Sequence, residues 1–169
     1  MRQASGFRDV KPKAAPRARR GSMSAAVALV LAGQATVAQA ARECEVDAGR
    51  LYDRAWSEVK LIVRNRDLWS CAWCGELAGD VHHRVRRGSG GSSDPNVSHS
   101  PANLVCLCRR DHDRAHAKDE DMHDRGLWLT TDQDPAEVPV YVRSEWGYER
   151  YWLTADGGLS RTSPKGLAA

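Results

Sequence analysis

Cys71-Ala72-Trp73-Cys74-Gly75 opens a stretch that passes through Val81-His82-His83-Arg84, crosses a Gly/Ser-rich loop, and closes with Asn103-Leu104-Val105-Cys106-Leu107-Cys108-Arg109-Arg110-Asp111-His112-Asp113-Arg114-Ala115-His116. Four of the five cysteines fall inside it, with His82, His83, His112 and His116. Cys-x2-Cys followed by glycine is a zinc knuckle, in which a tight turn aims two thiolates at one ion and the glycine relieves the backbone. Such a knuckle needs two more ligands, and Cys108 supplies one. His112 and His116 stand four apart in a polar stretch, so on a helix they share a face and can grip one cation. His82 and His83 are adjacent, and neighbours in an extended strand point to opposite faces. One of the two therefore joins the helical pair, and the other is free to do chemistry.

At 169 residues the chain has room for one domain of ordinary size plus tails. Its net charge of +3 is small and unevenly spread: residues 1–20 hold seven Lys/Arg against a single acid, leaving the remainder slightly acidic. Affinity for nucleic acid must therefore come from local patches, such as Arg84, Arg86 and Arg87 beside the histidine pair or Arg109, Arg110 and Arg114 further on. Cysteines at metal-ligand spacing argue for a reducing compartment and against a disulfide framework. Cys44 lies outside the pattern and reads as a half-buried thiol on a helix.

The ordered combination of knuckle, His-His pair, Asn103 and helical histidines resembles the HNH, or ββα-metal, endonuclease family, over roughly residues 58 to 118. The lead-in Arg64-Asn65-Arg66-Asp67-Leu68-Trp69-Ser70 is similar to that of many HNH proteins, where an Arg-Asp pair ends the preceding helix. The resemblance implies an α+β fold: a small ββα-metal core with a zinc knuckle, a preceding helix and a C-terminal extension of short strands. It implies that His82 is the first-strand metal ligand, with His112 and His116 on the helix, and that His83 is the general base, oriented by Asn103. Many relatives with a knuckle carry a second Cys-x2-Cys before the final histidine, and here Asp111 stands at its second position. Asp111, since carboxylate oxygen is an acceptable zinc ligand, or Cys106 is then the candidate fourth ligand beside Cys71, Cys74 and Cys108, the third alternative being a weakened site without tight zinc.

The activity implied is metal-dependent hydrolysis of phosphodiester bonds in double-stranded DNA, by nicking or double-strand cleavage, leaving 5′-phosphate and 3′-hydroxyl ends. One divalent cation (magnesium, manganese, nickel or zinc) belongs at the histidines, a structural zinc at the knuckle, and a phosphate at Arg84, Arg86 or Arg87. The C-terminal strands resemble tails of HNH proteins from bacteriophages of actinobacteria, which suggests DNA packaging beside a terminase large subunit in the host cytoplasm, with no membrane partner. Two rivals remain: a zinc-stabilised DNA-binding module without turnover, and a secreted nuclease.

Around this centre, residues 1–22 read as a disordered basic arm and 23–42 as an Ala-rich apolar helix or linker, a secretion signal being the competing reading of residues 1–40. The nuclease domain spans 43–118, led by a helix over 43–66 in which Val46, Leu51, Ala55, Val59 and Ile62 recur at helical steps. Tyr52 and Trp56 on it read as packing groups. His99 reads as a solvent histidine. A short-strand extension covers 119–162, with strands over 126–130, 138–142 and 151–154, and Trp128, Trp146 and Trp152 cover that sheet. Residues 163–169 form a frayed tail.

Overall fold

The computed structural model describes residues 22–88, 92 and 94–164. The basic arm expected over 1–22 and the frayed tail over 163–169 lie outside these, apart from Ser22, Ser163 and Pro164. The fold is α+β, with six helices and two small antiparallel sheets among the described residues.

The alanine-rich stretch forms two packed helices. Ser22 caps α1 (Met23–Leu31), and Thr36 and Gln39 cap α2 (Val37–Glu43) reciprocally, each satisfying a backbone N–H that the first turn leaves free. Ala26, Val27, Val30, Ala40 and Ala41 bury against Leu51 and Ala55 of α3 (Ala48–Arg66), their small side chains letting the three helices approach closely. No helix among the described residues is long and apolar enough to cross a membrane. Asp47 caps α3, one residue after Val46, and the buried stripe is Leu51, Ala55, Val59 and Val63. The expected helix therefore starts later, and Val63 replaces Ile62 on its inner face.

Beyond α3 the chain turns sharply through Leu68 and Trp69, both left-handed at φ of 52° and 58°. At the end of that helix the buried pair Arg66–Asp67 anchors the next layer. Arg66 donates to the carbonyls of Pro101 (2.8 Å) and Leu104 (2.6 Å), and Asp67 accepts from the Cys106 amide at 2.8 Å. The knuckle follows, closed by bonds from Cys71 N–H to Glu76 carbonyl and from Gly75 N–H to Cys71 carbonyl. Gly75 has φ of 79°, so the turn uses its freedom to be left-handed.

Strands β1 (Asp80–His83) and β2 (Leu104–Leu107) pair antiparallel, with His82 opposite Val105 and His83 opposite Leu104. A 3-10 turn, Pro101–Asn103, leads into β2, and α4 (Pro95–Ser98) lies in the connecting loop. Immediately after β2, Cys108 begins α5 (Arg109–His116). Alternation sends Leu104 and Cys106 towards Val59 and Val63 of α3, and Val105 and Leu107 towards a second core with Ala115, Met122 and Leu127.

That second core also contains Val140 and Leu153, so residues on both sides of position 118 share it. After the short α6 (Glu120–Asp124), strands β3 (Val140–Ser144), β4 (Gly147–Leu153) and β5 (Leu159–Ser160) form the second sheet. The knuckle joins the two sheets: Ala72 donates to Cys106 carbonyl at 2.9 Å and accepts from Arg143 at 2.8 Å. Residues 126–130 form no strand and make only an isolated bridge between Leu129 and Val85. Leu127 and Leu129 are both buried there, and the segment serves as a core wall. Trp128 and Trp152 are half-buried or buried and each donates its indole N–H to a carbonyl. Trp146 is 89% exposed at the β3–β4 turn and covers nothing.

Arg84 requires a correction. It is fully buried, and its five N–H groups meet five carbonyls, those of Ala102, Gly126, Pro135, Val138 and Pro139, at 2.5–3.3 Å. It cannot hold a phosphate. Burial pushes the guanidinium down to about 9, with no carboxylate to compensate, and carbonyl dipoles take that role. Gly126, left-handed at φ of 68°, lets the chain pass so close that a Cβ there would lie 2.1 Å from Pro139 carbonyl oxygen. Arg84 thus fastens the loops between α6 and β3 to the strand carrying the histidines.

Candidate functional site

His82, His112 and His116 converge, their ligand nitrogens all lying within 4.8 Å of one another. Two features build the cluster. Strand alternation turns His82 towards α5, and the four-residue step places His112 and His116 on one face of that helix, with ring centroids 4.5 Å apart. The His82 ring stands 5.2 Å from that of His112 and 5.4 Å from that of His116, nearly perpendicular to both. Both nitrogens of His82 and Nδ1 of His112 are buried without a well-formed hydrogen bond, a costly state unless each ring gives its one lone pair to an ion. Burial first, then the neighbouring histidines, pushes His82 down to about 3, so it stands neutral in the form that ligates metals. The three residues are positioned to bind a metal ion.

His83 points the other way, towards α3. Its ring stacks on the Trp56 indole at a centroid distance of 5.1 Å and an angle of 14°. His83 Nε2 lies 3.1 Å from Ser98 carbonyl oxygen. A carbonyl only accepts, so Nε2 carries the proton and Nδ1 is the basic nitrogen. Burial pushes this imidazole down to about 4 against the Ser98 bond, which leaves it neutral at neutral pH. Trp56 therefore does more than pack: it is the shelf on which His83 lies.

Asn103 is fully buried, and its side-chain hydrogen bonds go to backbone groups and not to the His83 ring. Its side chain accepts from Val85 N–H at 2.7 Å and donates to the carbonyls of Val85 (3.0 Å) and Val97 (2.8 Å). Those bonds fix both ends of the His83 setting, the strand that carries it and the α4 segment that offers Ser98 carbonyl. His99 is also corrected: it is buried, edge-on to Tyr52 and Trp56, and neither ring nitrogen makes a well-formed hydrogen bond. It belongs to the packing behind the stack.

A cleft of about 530 Å³ opens over the two histidine groups, walled by Trp56, His82, His83, His112 and His116. Arg86 and Arg87 stand at its rim. Arg86 is exposed with Nη2 3.5 Å from His116 Nδ1, and Arg87 donates to the Tyr52 hydroxyl with its guanidinium 5.5 Å from the Trp56 ring centroid. The arginines of α5 are committed elsewhere, Arg109 to Asp113, Arg110 to Glu76 and Arg114 to Asp119.

The knuckle residues form a second convergent group. Cys71, Cys74, Cys108 and Asp111 also offer ligand atoms within 4.8 Å of one another. Asp111 Oδ2 lies 3.4 Å from Cys71 Sγ and 3.1 Å from Cys108 Sγ, while Oδ1 faces Arg110 and Arg114. Burial raises this carboxyl, but bonds from Cys108, Cys74 and Arg110 outweigh it and hold Asp111 below its usual value. It also sits in the first turn of α5, where the helix dipole favours an anion. Cys106 is not part of this group. Its side chain packs with Val59 and Val63, where burial pushes the thiol up to about 12. Cys106 lies within β2 on the side that faces α3, whereas Cys108 stands past the end of that strand as the N-cap of α5, where the chain has already turned towards the knuckle.

The sequence held no signal for Ser98 carbonyl, which any residue would supply, or for the pairing of Trp56 with His83 across 27 positions. Compared with known proteins, the chain matches no family model, no curated protein and no solved structure.

Proposed function

We propose that the protein is a metal-dependent nuclease of the HNH type that hydrolyses phosphodiester bonds in DNA. The observation carrying this reading is the division between adjacent histidines: His82 joins a three-imidazole ligand set, while His83, neutral and with Nε2 committed, presents one basic nitrogen beside the same cleft. A purely structural metal site gives no reason for the second arrangement.

His82, His112 and His116 fit a cation through the convergence of one nitrogen from each, those of His82 and Nδ1 of His112 being buried and without a well-formed hydrogen bond. Such a cation, when bound, supplies polarisation of a phosphate oxygen and neutralisation of the charge that gathers on the leaving oxygen. Three imidazoles suit zinc, nickel or manganese, and magnesium less well.

His83 accepts at Nδ1 the proton of the water that attacks phosphorus, and Ser98 carbonyl stabilises the imidazolium through the Nε2 proton. The bond from phosphorus to the leaving 3′ oxygen breaks, and that oxygen takes its proton from solvent. Trp56 and Asn103 fix the plane and height of the imidazole, so they are positioning residues. Arg86 and Arg87 at the rim are placed to take phosphates in the role that Arg84 cannot fill. Cys71, Cys74, Cys108 and Asp111 form a zinc set of three sulfurs and one oxygen, which ties the knuckle to the first turn of α5 and so to the helical histidines.

The test is incubation with supercoiled plasmid, first freed of metal and then given magnesium, manganese, nickel or zinc separately. Nicked or linear product that depends on added metal supports the reading. DNA binding without cleavage under every metal supports the binding module instead.

A further inference from the structure

Along α3, Trp56, Lys60 and Arg64 recur every four residues, so they line one side of the helix in steps of about 6 Å. Trp56 is where this side meets the cleft. Lys60 Nζ lies 5.6 Å from the Trp56 ring centroid and the Arg87 guanidinium 5.5 Å, so the indole itself holds two cations at the rim. One turn further, the Arg64 guanidinium lies 4.9 Å from the ring centroid of Trp69, itself 43% exposed. Among the described residues, the Arg64 guanidinium donates one hydrogen bond, to Gly79 carbonyl at 3.3 Å.

What distinguishes these cations is the lack of an acid. Among the described residues no carboxylate pairs with Lys60, Arg64, Arg86 or Arg87, whereas Arg54, Arg109, Arg114 and Arg161 all do pair. The two acids of α3 do not dilute the track: Glu58 is bound to Arg54 at 2.6 Å, and Asp53 lies on the N-terminal side of Trp56. Cations held over aromatic faces, without internal counter-ions and continuous with a cleft, complement a polyanion.

We infer that the Lys60 and Arg64 side of α3 carries the phosphodiester backbone of the DNA strand flanking the scissile bond. The Trp56 ring, covered by His83, Lys60 and Arg87, is not a base-stacking surface, so the contact reads charge and spacing and not sequence. This inference rests on the nuclease reading for the identity of its ligand, but it is measured by binding alone.

The experiment is fluorescence anisotropy of a labelled duplex across a salt series, with full-length protein carrying His83→Ala so that the duplex stays intact. Lys60→Gln with Arg64→Gln, both at half-exposed positions, is expected to weaken binding about tenfold or more and to lower the slope of log affinity against log salt by about 1.8. Arg54→Gln with Glu58→Gln, which removes a whole ion pair on a different side of the same helix, is expected to leave both unchanged. Each single variant provides the measurement should the double one fold poorly. An unchanged slope in the Lys60 and Arg64 variants, an equal loss from the Arg54→Gln, Glu58→Gln pair, or no duplex binding by the parent protein overturns the inference. Loss of cleavage in the wild type with these binding differences intact overturns the nuclease reading alone.

Discussion

The Trp56 indole and the His83 imidazole lie face to face, 5.1 Å between centroids and 14° from parallel, across the junction of α3 and β1. This stack, with the Ser98 bond, leaves the imidazole little freedom to rotate. Trp56→Ala should therefore lower the turnover number about a hundredfold with metal binding unchanged, because an ångström of misplacement in a reacting group costs about that much. Trp56→Phe, which keeps a flat face, should recover most of the loss. A Trp56→Ala rate near that of the wild type would show that Ser98 carbonyl alone positions the base.

The single Arg84 guanidinium answers five backbone carbonyls. Arg84→Met keeps the length and leaves all five carbonyls unanswered; Arg84→Lys answers at most three. With each orphaned acceptor costing about 1–3 kcal/mol, Arg84→Met should lower unfolding free energy by more than about 3 kcal/mol, with Arg84→Lys in between. Urea denaturation checks this. A phosphate-binding role would give the opposite pattern, normal stability with weakened DNA affinity.

Asp111→Cys converts three sulfurs and an oxygen into four sulfurs at the same place and should retain zinc. Asp111→Ala should release it, weakening affinity by at least about a hundredfold, since changes in outer-shell partners alone reach that size. Zinc retained during chelator competition, followed by thermal unfolding, distinguishes them. Because the knuckle bridges the two sheets through Ala72, loss of zinc should lower the unfolding temperature as well.

Neither nitrogen of His99 makes a well-formed hydrogen bond, and burial, then the charge of Arg87, lowers its proton affinity against a weaker contact with the Tyr52 backbone. Its proton is lost on burial, so charging it opposes the fold. A group with a depressed basic value costs stability as pH falls below its ordinary value and has no such effect above it. His99→Phe, similar in shape, should thus raise unfolding free energy by about 1 kcal/mol at pH 7 and by more at pH 5. Thermal unfolding at both pH values provides the check, and a destabilised variant would reveal a hydrogen bond that matters.

Much of this was legible in the sequence because it follows from period. The step of four placed His112 and His116 on one helical face. Strand alternation separated His82 from His83, and the Cys-x2-Cys-Gly turn announced the knuckle. The apolar repeat marked Leu51, Ala55 and Val59 of the buried stripe of α3, but took Ile62 for Val63 and counted Val46, which precedes the helix. Arg84 was illegible because its carbonyls come from positions 102 to 139, and backbone acceptors leave no mark in side-chain chemistry. His99 was misread for a related reason: a polar residue after a Gly/Ser-rich loop looks solvated until Tyr52 and Trp56 close over it. The alanine-rich stretch was ambiguous because alanine favours helix wherever it lies, so only the packing against Leu51 and Ala55 shows what those helices are for.

The most direct test of the account is a single-turnover measurement on a duplex, comparing wild type with His83→Ala while metal bound per protein is determined for both. The division of labour predicts equal metal content, with cleavage by His83→Ala slower by about a hundredfold or more. Equal metal content with equal cleavage rates would contradict it, because His83 would then be one more structural histidine.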